Sequence, residues 1–288
     1  MDAPDADDSE RIAAMARRLR MTRPAVVPLV GGSRNRCYRL TAGAQDVVLR
    51  IAGANDAAYA VARDAESLAQ RLAAAHGLAP RLLLEDCDAG VSVMEYLQGP
   101  TWSRELAASP AGAARVGAWL ARLHAIPVPP ALRRVDFLES LEGYLRQLGP
   151  TAAGERCLAE AKRRSLRLVR TPCGAFCHND LHHLNLLETA RGLMAVDWEY
   201  AGVGDAVLDL AGYMAYHDLE AGAVGHLLAA YGSGARPPEP GEIDEARWLF
   251  EAVWWAWLEL KRAIDGDEPG DARRTRCRLE ARLDLYAA

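Results

Sequence analysis

Asp180, Asn185 and Asp197 are the residues of this chain whose types and spacing could do chemistry. They sit in the strings His178-Asn179-Asp180-Leu181-His182-His183-Leu184-Asn185 and Ala195-Val196-Asp197-Trp198-Glu199-Tyr200, each at the end of a short apolar run. The first carboxylate precedes an amide by five positions, and a second carboxylate follows shortly after. A carboxylate can orient a hydroxyl and accept its proton. An amide oxygen and a second carboxylate can hold a hard divalent cation. Together they suit phosphoryl transfer from ATP with magnesium bridging the phosphates.

Such groups need a frame. Residues 25–51 alternate and carry β-branched side chains around Gly31 and Gly32, which predicts strand, tight turn, strand, and a further strand over 47–51. Residues 57–76 have helical spacing with Gly77 as a stop, and strands are predicted at 81–84 and 91–96. Gly99-Pro100 then punctuates the chain. Helices are predicted at 110–124, 137–148, 152–168, 206–217, 221–231, 243–264 and 271–286, with short strands near Leu186 and at 194–196. Residues 232–241, with Pro237, Pro238 and Pro240, read as a surface loop. The expected fold class is α+β and two-lobed, a small β-rich N-terminal lobe (1–97) and a larger, mainly helical C-terminal lobe (98–288). Residues 1–10 read as a disordered acidic tail leading into a helix near Ser9.

Composition narrows the partners. The chain has 288 residues, half of them hydrophobic and a quarter charged, enough for an ample core. A net charge of -5 argues against a general nucleic-acid or membrane-surface binder. The most apolar run, 252–260, is too short to span a membrane. The six cysteines are scattered without a CxxC pair, and the acidic start does not resemble a signal peptide, so free thiols and a cytoplasmic location are expected. The only lysines are Lys162 and Lys261, so a phosphate-binding cation in the N-terminal lobe would have to be an arginine.

The motifs resemble the superfamily of choline kinases, thiamine kinases and aminoglycoside phosphotransferases, small-molecule kinases with a protein-kinase-like fold. The resemblance rests on the segment 31–38, on Val48-Leu49-Arg50, on Glu66, on the 178–185 loop, on Asp197-Trp198-Glu199-Tyr200-Ala201-Gly202, and on Asp205 with Asp209-Leu210-Ala211. The Asp-Trp-Glu-Tyr-Ala-Gly string looks more like the choline and thiamine kinases than the antibiotic phosphotransferases. A protein kinase is disfavoured, because Asp-Phe-Gly and Ala-Pro-Glu motifs are missing. The resemblance implies Asp180 as catalytic carboxylate and Asn185 with Asp197 as magnesium ligands. Glu199 would add a metal contact, face the substrate, or support the site from behind. Arg50 would meet the phosphates, paired with Glu66. Gly31, Gly32 and Asn35 would cover the phosphates, and backbone groups at Met94, Glu95 and Tyr96 would meet adenine. His178, Asp205 and Asp209 would be scaffold. The family usually has Gly just before the metal-binding Asn and Pro or Ala before that, where this chain has Leu184 and His183.

Trp198 and Tyr200 flank Asp197, and Trp254 and Trp257 share a helix face with Lys261. Aromatic faces attract a quaternary ammonium or a thiazolium. The expected substrate is thus a small hydroxylated cation, choline first, thiamine next, ethanolamine behind. An aminoglycoside would want acidic groups, for which Asp265, Asp267, Glu268 and Asp271 are candidates. A non-catalytic nucleotide- or ligand-binding protein on the same scaffold is the alternative from another class. A zinc site at His178, His182 and His183 is weighed and set aside, because no partner set completes it.

Overall fold

The alternation along residues 45–51 decides which sheet face each side chain takes. A computed structural model of the chain describes residues 4–29, 35–168, 174–266 and 270–285; Gly31 and Gly32 lie outside them. Helix α1 (Ala6–Arg18) comes first. It starts ahead of Ser9 because the Asp5 carboxylate accepts from the Asp8 N–H and caps it. Strands β1 (Ala25–Leu29), β2 (Arg36–Ala42) and β3 (Gln45–Ile51), helix α2 (Arg63–Ala75), and strands β4 (Leu82–Asp86) and β5 (Val91–Glu95) follow. The strands form one antiparallel sheet in the order β1-β2-β3-β5-β4.

Val47, Leu49 and Ile51 of β3 join Tyr38, Leu40, Val91 and Val93 in a core that Ile12, Met15 and Ala16 of α1 also enter. Arg50 is one residue out of phase with them, so the pleat turns it to the other face. Helix α2 buries Glu66, Ala69, Gln70 and Ala73, one helical stripe. It begins at Arg63, not at residue 57. Ala60 has φ 57°, a left-handed conformation that no helix can continue through, and Arg63 reaches back to Asp56 at 2.7 Å.

Next come helices α3 (Arg104–Ala108), α4 (Pro110–His124), α5 (Phe137–Leu148) and α6 (Ala152–Ser165), then strand β6 (Ala175–Cys177). Ser103, Ser109, Asp136 and Thr151 cap the four helices through their side chains. The hairpin β7 (Leu186–Thr189) and β8 (Gly192–Ala195) is followed by β9 (Gly202–Gly204) and by helices α7 (Ala206–His217), α8 (Ala221–Gly232), α9 (Pro240–Asp265) and α10 (Gly270–Leu283). Strands β6 and β9 pair antiparallel over three residues each, too short for alternation to betray them. Helix α9 starts at Pro240, inside the expected loop, because Glu239 and Glu242 form a capping box and proline suits the first helical turn. Gly117 lets α4 approach α8: a Cβ there would lie 2.2 Å from the Leu227 carbonyl oxygen.

Contacts divide the chain into two compact units. One comprises Met1–Asp56, Val61–Trp102 and Leu184–Glu199; the other comprises Ala57–Ala60, Ser103–His183 and Tyr200–Ala288. The β7–β8 hairpin belongs to the first unit through backbone bonds: Ala195 N–H donates to Leu78 O (2.8 Å), and Trp102 N–H donates to Leu186 O (2.9 Å). Among the described residues no helix is long and apolar enough to cross a membrane.

Candidate active site

In the first unit, the buried Arg50 guanidinium is shared between two carboxylates. Its NH1 lies 2.5 Å from Glu66 Oε1 and 3.1 Å from Asp197 Oδ1. Burial opposes the charge on Arg50, but Glu66, Asp197 and Glu199 outweigh it and raise its pKa. Burial likewise opposes ionisation of Glu66, and Arg50 and Arg63 outweigh it, holding that carboxyl below its usual range. Arg63 extends the cluster, reaching Glu66 at 2.8 Å, Glu199 at 3.3 Å and the Asn35 side-chain oxygen at 3.3 Å. The Asn35 amide in turn donates to Glu199 Oε2 at 3.1 Å.

Asn185 and Asp197 are neighbours because Val196 N–H donates to the Asn185 carbonyl at 3.0 Å. Asp197 has φ 64°, a left-handed conformation that aspartate tolerates better than bulky residues do. The oxygens that Asn185, Asp197 and Glu199 bring are the hard donors magnesium prefers, so the residues fit that ion. Leu184 sits in a 3-10 turn with 51% of its surface exposed while Asn185 is buried, so the larger side chain needs no room inside.

The expected adenine contacts fare differently. Glu95 N–H donates to Arg81 O (3.0 Å) and Tyr96 N–H donates to Asp46 O (3.2 Å), so neither amide is available to a base here. Met94 is buried, with its sulfur 3.8 Å from the Gln70 amide. The Tyr96 ring is covered by the Arg39 guanidinium at 3.8 Å.

In the second unit, Asp209 on α7 organises the 178–180 loop. Its oxygens accept from His178 N–H (2.8 Å) and Asn179 N–H (2.6 Å), and His124 Nε2 lies 3.1 Å away. His178 Nδ1 then accepts from Asp180 N–H at 3.3 Å, and the Asn179 amide donates to Tyr200 O at 2.9 Å. Asp205 is buried at the N-cap of α7 without capping it through its side chain. The Tyr216 hydroxyl donates to Asp180 Oδ1 at 2.5 Å, while His182 Nε2 stands 3.8 Å from Oδ2. Burial pushes His182 down to about 4, so that imidazole is neutral at pH 7.

The aromatic residues split between half-buried and core positions. Trp254 and Trp257 are half-buried; Trp255 and Trp198 are buried, and the Trp198 indole donates to Ala195 O at 3.1 Å. Trp198 is therefore core, not pocket lining. Trp257 Nε1 donates to the Tyr200 hydroxyl at 3.0 Å, and its ring lies 5.9 Å from that of Tyr59. Trp254 meets Tyr216 edge-on at 4.6 Å. Each of these two half-buried indoles also has a cation of the protein near it, Lys261 at 5.9 Å from Trp257 and Arg278 at 5.8 Å from Trp254. Glu259 is engaged by Arg262 (2.7 Å) and Arg276 (3.3 Å).

Among the described residues the three histidines considered for zinc form no ligand group. His124, Cys177 and Asp209 do bring donor atoms within 4.8 Å of one another. Their hydrogen bonds explain them: His124 spans Asp209 and the Tyr231 hydroxyl (3.0 Å), and the Cys177 thiol donates to Ala175 O (3.5 Å). A cavity of about 390 Å³ lined by Ile126, Pro130, Leu132 and Arg134 holds none of the residues named from sequence.

Sequence reasoning missed Arg63, His124 and Tyr216. Arg63 and Glu66 stand at i and i+3 on α2, and Asp209 and Tyr216 at i and i+7 on α7, spacings that put each pair on one helix face. Those spacings were readable once Glu66 and Asp209 were singled out. His124 lies 85 positions from Asp209 and gave no local signal.

The family model described as "Phosphotransferase enzyme family" matches residues 25–249 of this chain. The chain belongs to that family. Thiamine kinase from Escherichia coli O17:K52:H18 is 41% identical to this phosphotransferase over 81 residues, 27% of this chain and 29% of the relative. The match thus spans less than a third of that relative's length. Choline kinase LicA from Streptococcus pneumoniae superposes with a TM-score of 0.82 at 21% identity, covering 98% of this chain and 100% of LicA. LicA in complex with AMP gives 0.79 at 20% identity over 96% and 98% of the two chains. A choline/ethanolamine kinase family protein from Mesorhizobium loti gives 0.76 at 26% identity over 98% and 95%. The α+β, protein-kinase-like fold class is thereby established for this phosphotransferase.

Proposed function

We propose that this phosphotransferase is an ATP- and magnesium-dependent kinase that phosphorylates the hydroxyl of a small cationic alcohol. The observation that carries the reading is the Arg50 guanidinium, presented by a strand and shared between Glu66 and Asp197. It keeps one cation beside the carboxylate that would hold metal. Asn185 and Asp197 would ligate magnesium, with Glu199 supporting, and bound magnesium supplies neutralising charge at the ATP phosphates. Arg50 would contact the phosphates, and the amides of Glu95 and Tyr96, engaged with Arg81 and Asp46, would not serve adenine. Asp180 accepts the proton as the acceptor O–H bond breaks. The oxygen electron pair then bonds the γ-phosphorus, and the bond to the β,γ-bridging oxygen breaks with ADP leaving.

For the acceptor, thiamine moves ahead of choline. Glu259, the carboxylate that follows these tryptophans on α9 and would have aided a cation, is committed to two arginines, and Trp254 and Trp257 each already have a cation near them. A cage relying on charge alone is weakened, whereas an acceptor with aromatic rings still gains by stacking on Trp254 and Trp257. The 81-residue likeness to a thiamine kinase supports the same order. An aminoglycoside is disfavoured because Asp265 and Asp271 are paired with Lys261 and Arg274; Asp267 and Glu268 lie outside the described residues.

The test is coupled ADP release with ATP and magnesium against thiamine, choline, ethanolamine, kanamycin and no acceptor. Release stimulated by thiamine or choline is expected. Nucleotide binding by thermal shift with no stimulated release would instead favour a non-catalytic binding protein.

A further inference from the structure

The Asp180 carboxylate is held by a residue outside the 178–185 loop. The Tyr216 hydroxyl donates to Oδ1 at 2.5 Å from helix α7, the helix that also supplies Asp209. The loop backbone and the carboxylate itself are thus held from one helix face, by Asp209 below and Tyr216 beside. The Tyr216 ring is fixed in turn, edge-on against Trp254 (4.6 Å), Phe250 (5.2 Å) and His182 (5.4 Å). We infer that Tyr216 is a positioning residue for Asp180: by donating to Oδ1 it holds the carboxylate in the orientation that meets the acceptor hydroxyl.

This rests on the kinase reading above. The titratable groups around the phenol are Asp180, His182, Tyr200 and Tyr144. Burial, then Asp180, pushes the Tyr216 hydroxyl well up, so it stays a donor across the working pH range. A donated hydrogen bond also stabilises the ionised carboxylate and lowers its basicity. Removing it would make Asp180 a stronger base but a looser one. In phosphoryl transfer positioning carries more of the rate than basicity does, so turnover should fall.

The experiment compares wild type, Tyr216→Phe and Asp180→Asn in ADP release with the stimulating alcohol. Tyr216→Phe keeps the ring contacts and loses only the donor. The expected result is a kcat lower by about tenfold with an acceptor KM changed less than about twofold. The acid limb of the kcat/KM profile should move to higher pH, because the carboxylate loses a donor that favoured its charged form. The limb position does not depend on how much enzyme is folded, so it remains readable if the variant is less stable. An unchanged kcat and limb, or a rise in KM alone, overturns the inference while leaving the kinase reading intact. Full turnover by Asp180→Asn overturns both.

Discussion

Arg50 and Asp197 are 147 positions apart in the chain and meet within the first unit, NH1 to Oδ1, at 3.1 Å. The same nitrogen contacts Glu66, whose carboxylate is only 2% exposed. Replacing Arg50 by alanine would leave that buried charge to Arg63 alone, 2.8 Å away, and should cost up to about 3 kcal/mol. Arg50→Lys keeps a charge but replaces the pre-organised guanidinium by a flexible, strongly hydrated ammonium that is harder to bury. Thermal melts should therefore rank wild type above Arg50→Lys above Arg50→Ala, and ATP-dependent turnover should fall in the same order. Equal melting temperatures for all three would remove the electrostatic account of this cluster.

Asp180 and Asp197 should fail in different ways. Asp180→Ala should lower turnover by at least ~10²-fold while ATP affinity, read by calorimetry, stays within about twofold. Asp197→Ala should weaken magnesium-dependent nucleotide binding itself. The discriminating readout is binding with and without magnesium: a loss confined to the magnesium condition supports the metal role of Asp197.

His217 predicts a pH dependence of stability. Its Nδ1 faces Tyr213 O at 2.8 Å, and its Nε2 accepts from His183 N–H at 3.1 Å, so the ring must be neutral on that side. Burial pushes its pKa down to about 3, from an ordinary value of 6.5. Between those values the unfolded chain binds the proton and the folded chain does not. Stability is therefore complete above about pH 6.5 and falls as pH drops towards 3, by about 1.4 kcal/mol per unit for one such group. Urea midpoints at pH 7 and pH 5 measure the slope. His217→Gln, which can donate and accept at that position and does not titrate, should make it shallower, with the buried His182 keeping its own share; an identical slope would assign the effect elsewhere.

Two tryptophans differ in burial and should differ in effect. Trp198 is fully buried, and Trp198→Ala should cost ~3–5 kcal/mol in unfolding free energy. Trp254→Ala removes a half-buried ring and should chiefly raise the acceptor KM. If Trp254→Ala instead costs as much stability as Trp198→Ala with KM unchanged, Trp254 is core as well.

Much of this was legible in the sequence because the signals were local. Periodicity placed the helices from Pro110 to His217 closely, since their caps (Ser109, Asp136, Thr151) are sequence features. The strand phase that sets Arg50 against its neighbours follows from alternation alone. The failures have physical causes. Ala60 breaks the expected helix through a backbone conformation that its residue type does not advertise. Trp198 was read as pocket lining because flanking a candidate ligand suggested exposure, yet its indole packs inward onto Ala195. His124 and Tyr216 act across the fold, and no local pattern encodes a partner 85 or 36 positions away. The amides of Glu95 and Tyr96 were assigned by position, and their engagement with Arg81 and Asp46 depends on strand register.

The division of the chain has a consequence for how this protein can be inherited and engineered. The first unit takes its last segment, Leu184–Glu199, from between two stretches of the second, and gives up Ala57–Ala60 from its middle. A recombination joint after Trp102 would therefore leave Asn185, Asp197 and the β7–β8 hairpin behind with the other parent. A chimera that swaps nucleotide-handling modules must exchange two separate tracts at once. Single-crossover shuffling should yield mostly mismatched proteins, so this chain is better treated as one heritable block than as two cassettes.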